Sequence, residues 1–286
     1  MVPVFISTTN LTNSNSLAET LEIYYQAGIQ AVELGSGHMP FPGYLETISG
    51  YPFDYSVHNY FPLTDPDHLI NIASVNRGQL DKTKNIARNA IAICSQIGGS
   101  IYGIHAGYQS DVDTQSLGRK LLANEEATHD VSFRIMVETI QELCDFASEK
   151  AIDVVVENHV LAPFNLVDGN NTLLLLCTAE EIIEFSQAVG RDNFGMLIDL
   201  AHLKVTANTL KFDPYQLIQS VYPWIKLFHL SENNGLSDLG LPFDEGAWFE
   251  PVIKQLSSVP CVIETQATNV STLLKQLDLV TRWQSA

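Results

Sequence analysis

Seven side chains in this sequence could hold a cation or move a proton, and each closes a short apolar segment. They are His58 in Ser-Val-His-Asn, His105 in Gly-Ile-His-Ala-Gly, Glu157 in Val-Val-Val-Glu-Asn-His, Asp199 and His202 in Leu-Ile-Asp-Leu-Ala-His, His229 in Leu-Phe-His-Leu-Ser-Glu and Glu264 in Val-Ile-Glu-Thr. One histidine after a strand is ordinarily a hydrogen-bonded structural residue, and one carboxylate there is ordinarily the solvated end of the strand. Taken as a set, carboxylates ending otherwise unrelated segments would repel unless something cationic sat between them. A divalent metal site therefore explains the set better than separate structural roles. The donors are oxygen and nitrogen without thiolate, which suits Mn, Mg, Co, Fe or Zn and does not choose among them.

The elements that must position these groups alternate along the whole chain. Strands are expected over Val2–Thr8, Ala31–Leu34, Asp54–His58, Ser100–His105, Asp153–Asn158, Phe194–Leu200, Ile225–Leu230 and Cys261–Thr265. Between them lie amphipathic helical patterns, among them Ile86/Ala90/Ile93/Ile97, Phe133/Val137/Ile140/Cys144/Ala147 and Val270/Leu273/Leu277/Val280, each forming one apolar stripe. Eight such units predict an α/β fold, a single (β/α)8 barrel over residues 1–286. The competing doubly wound sheet would carry a Gly-rich turn after its first strand, and none follows Val2–Thr8. Helix-to-strand connections are tight (Gly28-Ile29-Gln30, Gly98-Gly99, Lys150-Ala151-Ile152), whereas Asn59–Gly78, Ala106–Ala127, Val160–Thr178 and Ser231–Gly246 are long. Long strand-to-helix loops belong at the C-terminal face of such a barrel, where its sites form, and the seven residues fall at that same level.

Other residues are read as structural. His38, His68, His129 and His159 fall in loops or at helix starts, with His38 and His159 the first to reconsider. Glu33 is expected as a hydrogen-bond partner inside the barrel. Tyr60, Phe61, Phe164 and Trp248 are packing residues first and a substrate wall second, and Leu173–Cys177 reads as an apolar plug on the rim before it reads as a lid. No P-loop, nucleophile elbow or dinucleotide fingerprint is present.

Composition narrows the function. Lys and Arg number 15 against 33 Asp and Glu, a formal net charge of −18, so a grip on a phosphate backbone is disfavoured and no nucleic-acid partner is expected. No apolar run is long enough for a membrane span, and the first residues do not read as a signal peptide. Cys94, Cys144, Cys177 and Cys261 are scattered without a Cys-x-x-Cys pair, which fits buried thiols in a reducing, cytoplasmic setting.

The segments Val-Val-Val-Glu-Asn, Leu-Ile-Asp-Leu-Ala-His, Leu-Phe-His-Leu-Ser-Glu-Asn and Val-Ile-Glu-Thr resemble the xylose isomerase-like barrels, which include sugar isomerases and epimerases, inosose dehydratases and multi-zinc apurinic endonucleases. The resemblance covers nearly the whole chain. It implies that Glu157, Asp199, His229 and Glu264 hold one divalent ion, that His202 contacts substrate, and that His58 and His105 bind either a second ion through Glu157 or the substrate. Asn158 and Glu232, in the same segments, are expected to contact substrate. The implied activity is isomerisation or epimerisation of a sugar or sugar-like polyol through an enediolate, with Glu157 and Glu264 as acid and base. The arginine that often follows the strand-seven histidine is missing from Ser-Glu-Asn-Asn-Gly. A dehydratase acting on a keto-polyol is the alternative, followed by an endonuclease-like phosphodiesterase and then a non-catalytic sugar-binding barrel. The endonuclease branch adds an Asp-x-His for a third ion; here Asp238 is kept and Gly240 stands where the histidine belongs. The expected partner is a small-molecule carbohydrate, with a homo-oligomer left open. Neither a phosphate-binding Gly turn nor an Arg cluster marks the long loops, which leaves Arg119 and Lys204 as the cations available for a phosphate.

Overall fold

A computed structural model describes residues 2–11, 16–122, 127–266 and 269–286. Its strands are β1 (Val4–Ser7), β2 (Ala31–Leu34), β3 (Asp54–His58), β4 (Ile101–His105), β5 (Asp153–Glu157), β6 (Phe194–Asp199), β7 (Ile225–Leu230) and β8 (Cys261–Ile263). Each pairs in parallel with its successor, and β8 pairs back onto β1. That last pairing closes the barrel and excludes the doubly wound sheet.

Helices α1 (Leu17–Gln26), α2 (Tyr44–Ser49), α3 (Arg77–Gln96), α4 (His129–Ser148), α5 (Ala179–Val189), α6 (Leu200–Leu210), α7 (Pro214–Val221), α8 (Glu250–Gln255) and α9 (Val270–Gln284) surround it. Their starts are encoded locally. Ser16 and Glu19 make a reciprocal capping box on α1, and the side chains of Asn76, Thr178, Asp213 and Asn269 accept first-turn N–H groups of α3, α5, α7 and α9. The α3 stripe is centred on Ala87, Ala90, Ile91 and Cys94. Ile86 and Ile97, expected on it, sit at its margin and are only partly buried.

Several strands end sooner than their apolar runs suggest. Thr8 already begins a 3-10 turn. Asp199 becomes the N-cap of α6, its Oδ1 accepting the His202 N–H at 2.8 Å, so Leu200 belongs to the helix. β4 starts at Ile101 rather than Ser100, and β5 and β8 stop at Glu157 and Ile263.

The strand period of two explains where the chemistry goes. Phe5, Ala31, Val155, Leu197, Leu227 and Val262 pack together inside the barrel as an apolar layer. Two residues further along the same strands stand Ser7, Glu33, Glu157, Asp199, His229 and Glu264. On β3 and β4 the same step leads from Ser56 to His58 and from Gly103 to His105. One polar layer thus rests directly on one apolar layer, facing the long loops.

Those loops are packed. Leu174 and Cys177 join Leu69, Tyr108, Val112 and Leu161 in a satellite cluster, so Leu173–Cys177 is a plug. Of the long loop expected over 106–127, residues 123–126 lie outside the described residues. Among the described residues no helix is long and apolar enough to cross a membrane.

Candidate metal centre

Glu157 is the hub. Its Oε2 lies 3.1 Å from His105 Nε2 and 3.3 Å from His58 Nε2, and these two nitrogens are 3.2 Å apart. Its Oε1 lies 3.2 Å from His202 Nδ1 and 4.0 Å from His229 Nδ1. Glu264 Oε2 stands 2.8 Å from the same His229 nitrogen, and Glu264 Oε1 accepts the Thr9 hydroxyl at 3.2 Å. Donor atoms of Glu157, Asp199 and His229 lie within 4.8 Å of one another, as do those of His58, His105 and Glu157.

The donors suit a divalent ion. Ligands bound at about 2.0–2.2 Å sit roughly 3.0–3.5 Å apart around their ion, the spacing of the His58–His105–Glu157 triangle. Glu157 Oε2 is buried and makes no aligned hydrogen bond despite these near contacts, as expected of an atom directed at a shared centre rather than at a neighbour. His229 is fully buried, its other nitrogen 3.2 Å from Glu33 Oε2. That contact is the interior partnership expected of Glu33, and it orients the His229 ring from behind.

Electrostatics inside the cluster are strained in opposite directions. Burial would raise Glu157, but the surrounding imidazoles, His105 foremost, hold its carboxyl well below the usual range. Burial likewise works against Glu264, which His229 pulls down to about 2. Burial dominates at Asp199 and pushes it up to about 7 against the pull of His202. Burial disfavours charged histidines, yet Glu33 and Glu264 hold His229 well above its usual value, and Asp199, Asp238 and Glu157 do the same for His202.

In the metal-free protein Glu33 and Glu264 favour the protonated form of His229, and an ion at its Nδ1 must displace that proton, so metal binding should release protons. Titrating Mn²⁺ into weakly buffered, chelator-stripped protein should acidify the solution, and affinity should rise with pH. Binding without proton release would contradict the assignment of His229.

Gly103 makes room for His58. A Cβ there would lie 2.8 Å from His58 Nδ1 and 3.2 Å from Leu197 Cδ1. Gly103→Ala is expected to displace the His58 ring and to cost about 1–3 kcal/mol, measured by chemical denaturation. An unchanged midpoint would mean that the ring moves freely.

A cavity of about 350 Å³ opens above the hub, lined by Thr9, His105, Glu157, Asp238, Glu264 and Gln266 among others. Asn158 and Glu232, expected to touch substrate, do not line it. Asn158 follows an inward residue by one and faces the other way, accepting the Asp199 N–H at 2.8 Å and donating to the Asp199 carbonyl at 3.3 Å. Glu232 Oε2 takes the Lys204 ammonium at 2.6 Å. Sequence reading did not single out Thr9 or Gln266. Asp238, read only as a remnant of a third metal site, lies 3.4 Å from His202 Nε2. At Gly240, φ is +55° and a Cβ would come within 2.8 Å of Gln266 Cγ, so a histidine does not fit there without rearrangement.

The remaining histidines are structural in their contacts. His38, His68 and His159 are buried against the Thr8 carbonyl, the Thr83 hydroxyl and the Gly107 carbonyl respectively, and His129 is half-exposed beside Glu181. Tyr60 and Phe61 pack into the core, as does Trp248 in part, while Phe164 is exposed.

The chain belongs to the xylose isomerase-like TIM barrel family, whose model matches residues 21–281. Among solved structures it is similar to a D-tagatose 3-epimerase-like protein (18% identity, TM-score 0.73, 100% of this chain and 97% of that one). It is also similar to an L-ribulose 3-epimerase (16%, 0.67, 99% and 91%). A third is a D-psicose 3-epimerase from Clostridium cellulolyticum H10, solved with D-tagatose (14%, 0.64, 100% and 96%). At these identities the likeness is one of fold. No curated protein matches the sequence.

Proposed function

We propose that this chain is a divalent-metal-dependent isomerase or epimerase of a sugar or sugar-like polyol, acting as one catalytic barrel over residues 1–286. The observation that carries the reading is the placement of two glutamates from separate strands, Glu157 on β5 and Glu264 after β8, on the same imidazole nitrogen and the same cavity. The cavity falls within the roughly 300–1,000 Å³ typical of small-ligand sites. The sugar 3-epimerase neighbours support a carbohydrate substrate, and four buried free thiols fit a reducing, cytoplasmic setting.

Glu157, Asp199, His229 and Glu264 would hold the ion, which when bound supplies Lewis-acid polarisation of a carbonyl and its neighbouring hydroxyl. One glutamate removes the proton from the carbon beside the carbonyl; the other delivers a proton to the resulting enediolate, and the roles exchange with direction. Thr9 orients Glu264 from the rim. His202, braced by Glu157 and Asp238, and His105, whose side chain is 40% exposed, would hold substrate hydroxyls. Alternatively, the His58–His105–Glu157 triangle would accept a second ion, with His105 then a ligand instead of a substrate contact. Asn158 would set the Asp199 backbone rather than touch substrate.

Incubating the metal-loaded protein with a panel of free ketoses in D₂O tests the reading by NMR. Deuterium should enter at the carbon next to the carbonyl, with formation of an isomer. Loss of water instead of an isomer would assign a dehydratase, and no exchange with any ketose would overturn the proposal.

A further inference from the structure

The cavity over the hub is lined by more acidic than basic side chains. Four carboxylate residues line it, Glu157, Asp199, Asp238 and Glu264, against two histidines, His105 and His202, and among the described residues no lysine or arginine does. The residues outside the described set, 1, 12–15, 123–126 and 267–268, include no lysine or arginine either. The two cations that sequence reading offered to a phosphate are elsewhere. Lys204 is committed to Glu232 Oε2 at 2.6 Å and to the Asn233 carbonyl at 3.0 Å. Arg119 is exposed and does not line the cavity, and its neighbour Lys120 lines a different cavity, one that shares no residue with this one.

Asp238 differs from the other three carboxylates. It comes from the loop after β7, outside the polar layer of the barrel, and its side chain is 39% exposed while lying 3.4 Å from His202 Nε2. The loop that presents it is pinned. Glu232 and Leu241 exchange both backbone hydrogen bonds at 2.7 Å, and the Gln266 N–H donates to the Gly240 carbonyl at 2.6 Å. The Asn234 side chain accepts the N–H groups of Leu236 and Ser237 at 2.9 and 3.1 Å. These bonds fix the backbone on either side of Asp238, and the contact with His202 places its carboxylate at the opening.

We propose that Asp238 makes this cavity selective for uncharged polyols against their phosphate esters. A phosphate entering the cavity meets that like charge in partly desolvated surroundings; the cationic groups there are already faced by carboxylates, His202 by Asp238 and Glu157 and the proposed ion by its own ligands, and no guanidinium or ammonium is left to receive it. The inference rests on the carbohydrate reading above and adds to it a substrate class and the residue that sets it.

Calorimetric binding to the metal-loaded full chain tests it without relying on turnover. The probes are D-tagatose, D-fructose and L-ribulose, each against its terminal phosphate ester. The wild type should bind at least one free ketose and its ester at least about tenfold more weakly. Asp238→Asn should narrow that ratio several-fold and Asp238→Lys should close or invert it, with metal content and circular dichroism checked for both. Because Asp238 is on a loop, Asp238→Ser serves as a second neutral variant should the asparagine lose metal. Equal or tighter binding of the ester by the wild type, or a ratio unmoved by every variant, would overturn the inference while leaving the carbohydrate reading intact. Failure of every ketose and ester to bind would remove both.

Discussion

Glu157→Gln is expected to cost the protein its metal and its turnover together. The side chain is buried and stands within 3.3 Å of three imidazoles, so the amide removes the one anion shared by both groups of ligands. An acid–base residue alone contributes typically about 10²–10⁴-fold; because this one would also be an ion ligand, the loss in deuterium exchange should be about 10³-fold or more. Elemental analysis of the purified variant should show a matching fall in metal per chain. Glutamine keeps the shape of the side chain, so far-ultraviolet circular dichroism should be unchanged. Near-native exchange with full metal content would remove Glu157 from the mechanism.

The second large effect is on stability. His229 lies between Glu33 Oε2 at 3.2 Å and Glu264 Oε2 at 2.8 Å, and both it and Glu33 are buried. Deleting one partner of a buried pair leaves an uncompensated charge, which costs about 3–5 kcal/mol. His229→Ala should therefore be destabilised by that amount in urea with chelator present, and adding Glu33→Gln should recover part of it. The pH dependence has a definite sign. Because the folded protein raises His229, its contribution is complete below the ordinary value of 6.5 and fades as pH climbs through the raised one. Because Glu264 is lowered to about 2, its contribution is present above the ordinary 4.5 and is lost on acidification. The gap between wild type and His229→Ala should be widest between pH 4.5 and 6.5. A gap that grows steadily into alkaline pH would contradict the pairing.

Much of this site was legible because a strand repeats every two residues. Once β5, β6, β7 and β8 are recognised, Glu157, Asp199, His229 and Glu264 share the parity of the apolar interior layer, and the loop lengths say which end of the barrel they crown. The same rule bears on Asn158, expected to contact substrate. One step from an inward glutamate it must point out of the barrel interior, where it binds the Asp199 backbone. Glu33 was recognisable as an interior group, but its contact with His229 joins positions 196 residues apart and depends on barrel closure. Asp238 and Gln266 were harder still. Their placement comes from a loop held by backbone bonds between Glu232 and Leu241 and between Gln266 and Gly240, for which the residue types carry no periodic signal. Lys204 and Glu232 likewise satisfy each other across a helix and a loop, a pairing invisible to either segment alone.

Glu157, Asp199, His229 and Glu264 are proposed to converge on a common divalent cation. A crystal grown with Mn²⁺ and measured for anomalous scattering tests it most directly. A manganese peak is expected at the C-terminal mouth of the barrel within bonding distance of all four side chains; a peak bonded to a different set of residues, or none at that mouth, would rule out the shared site.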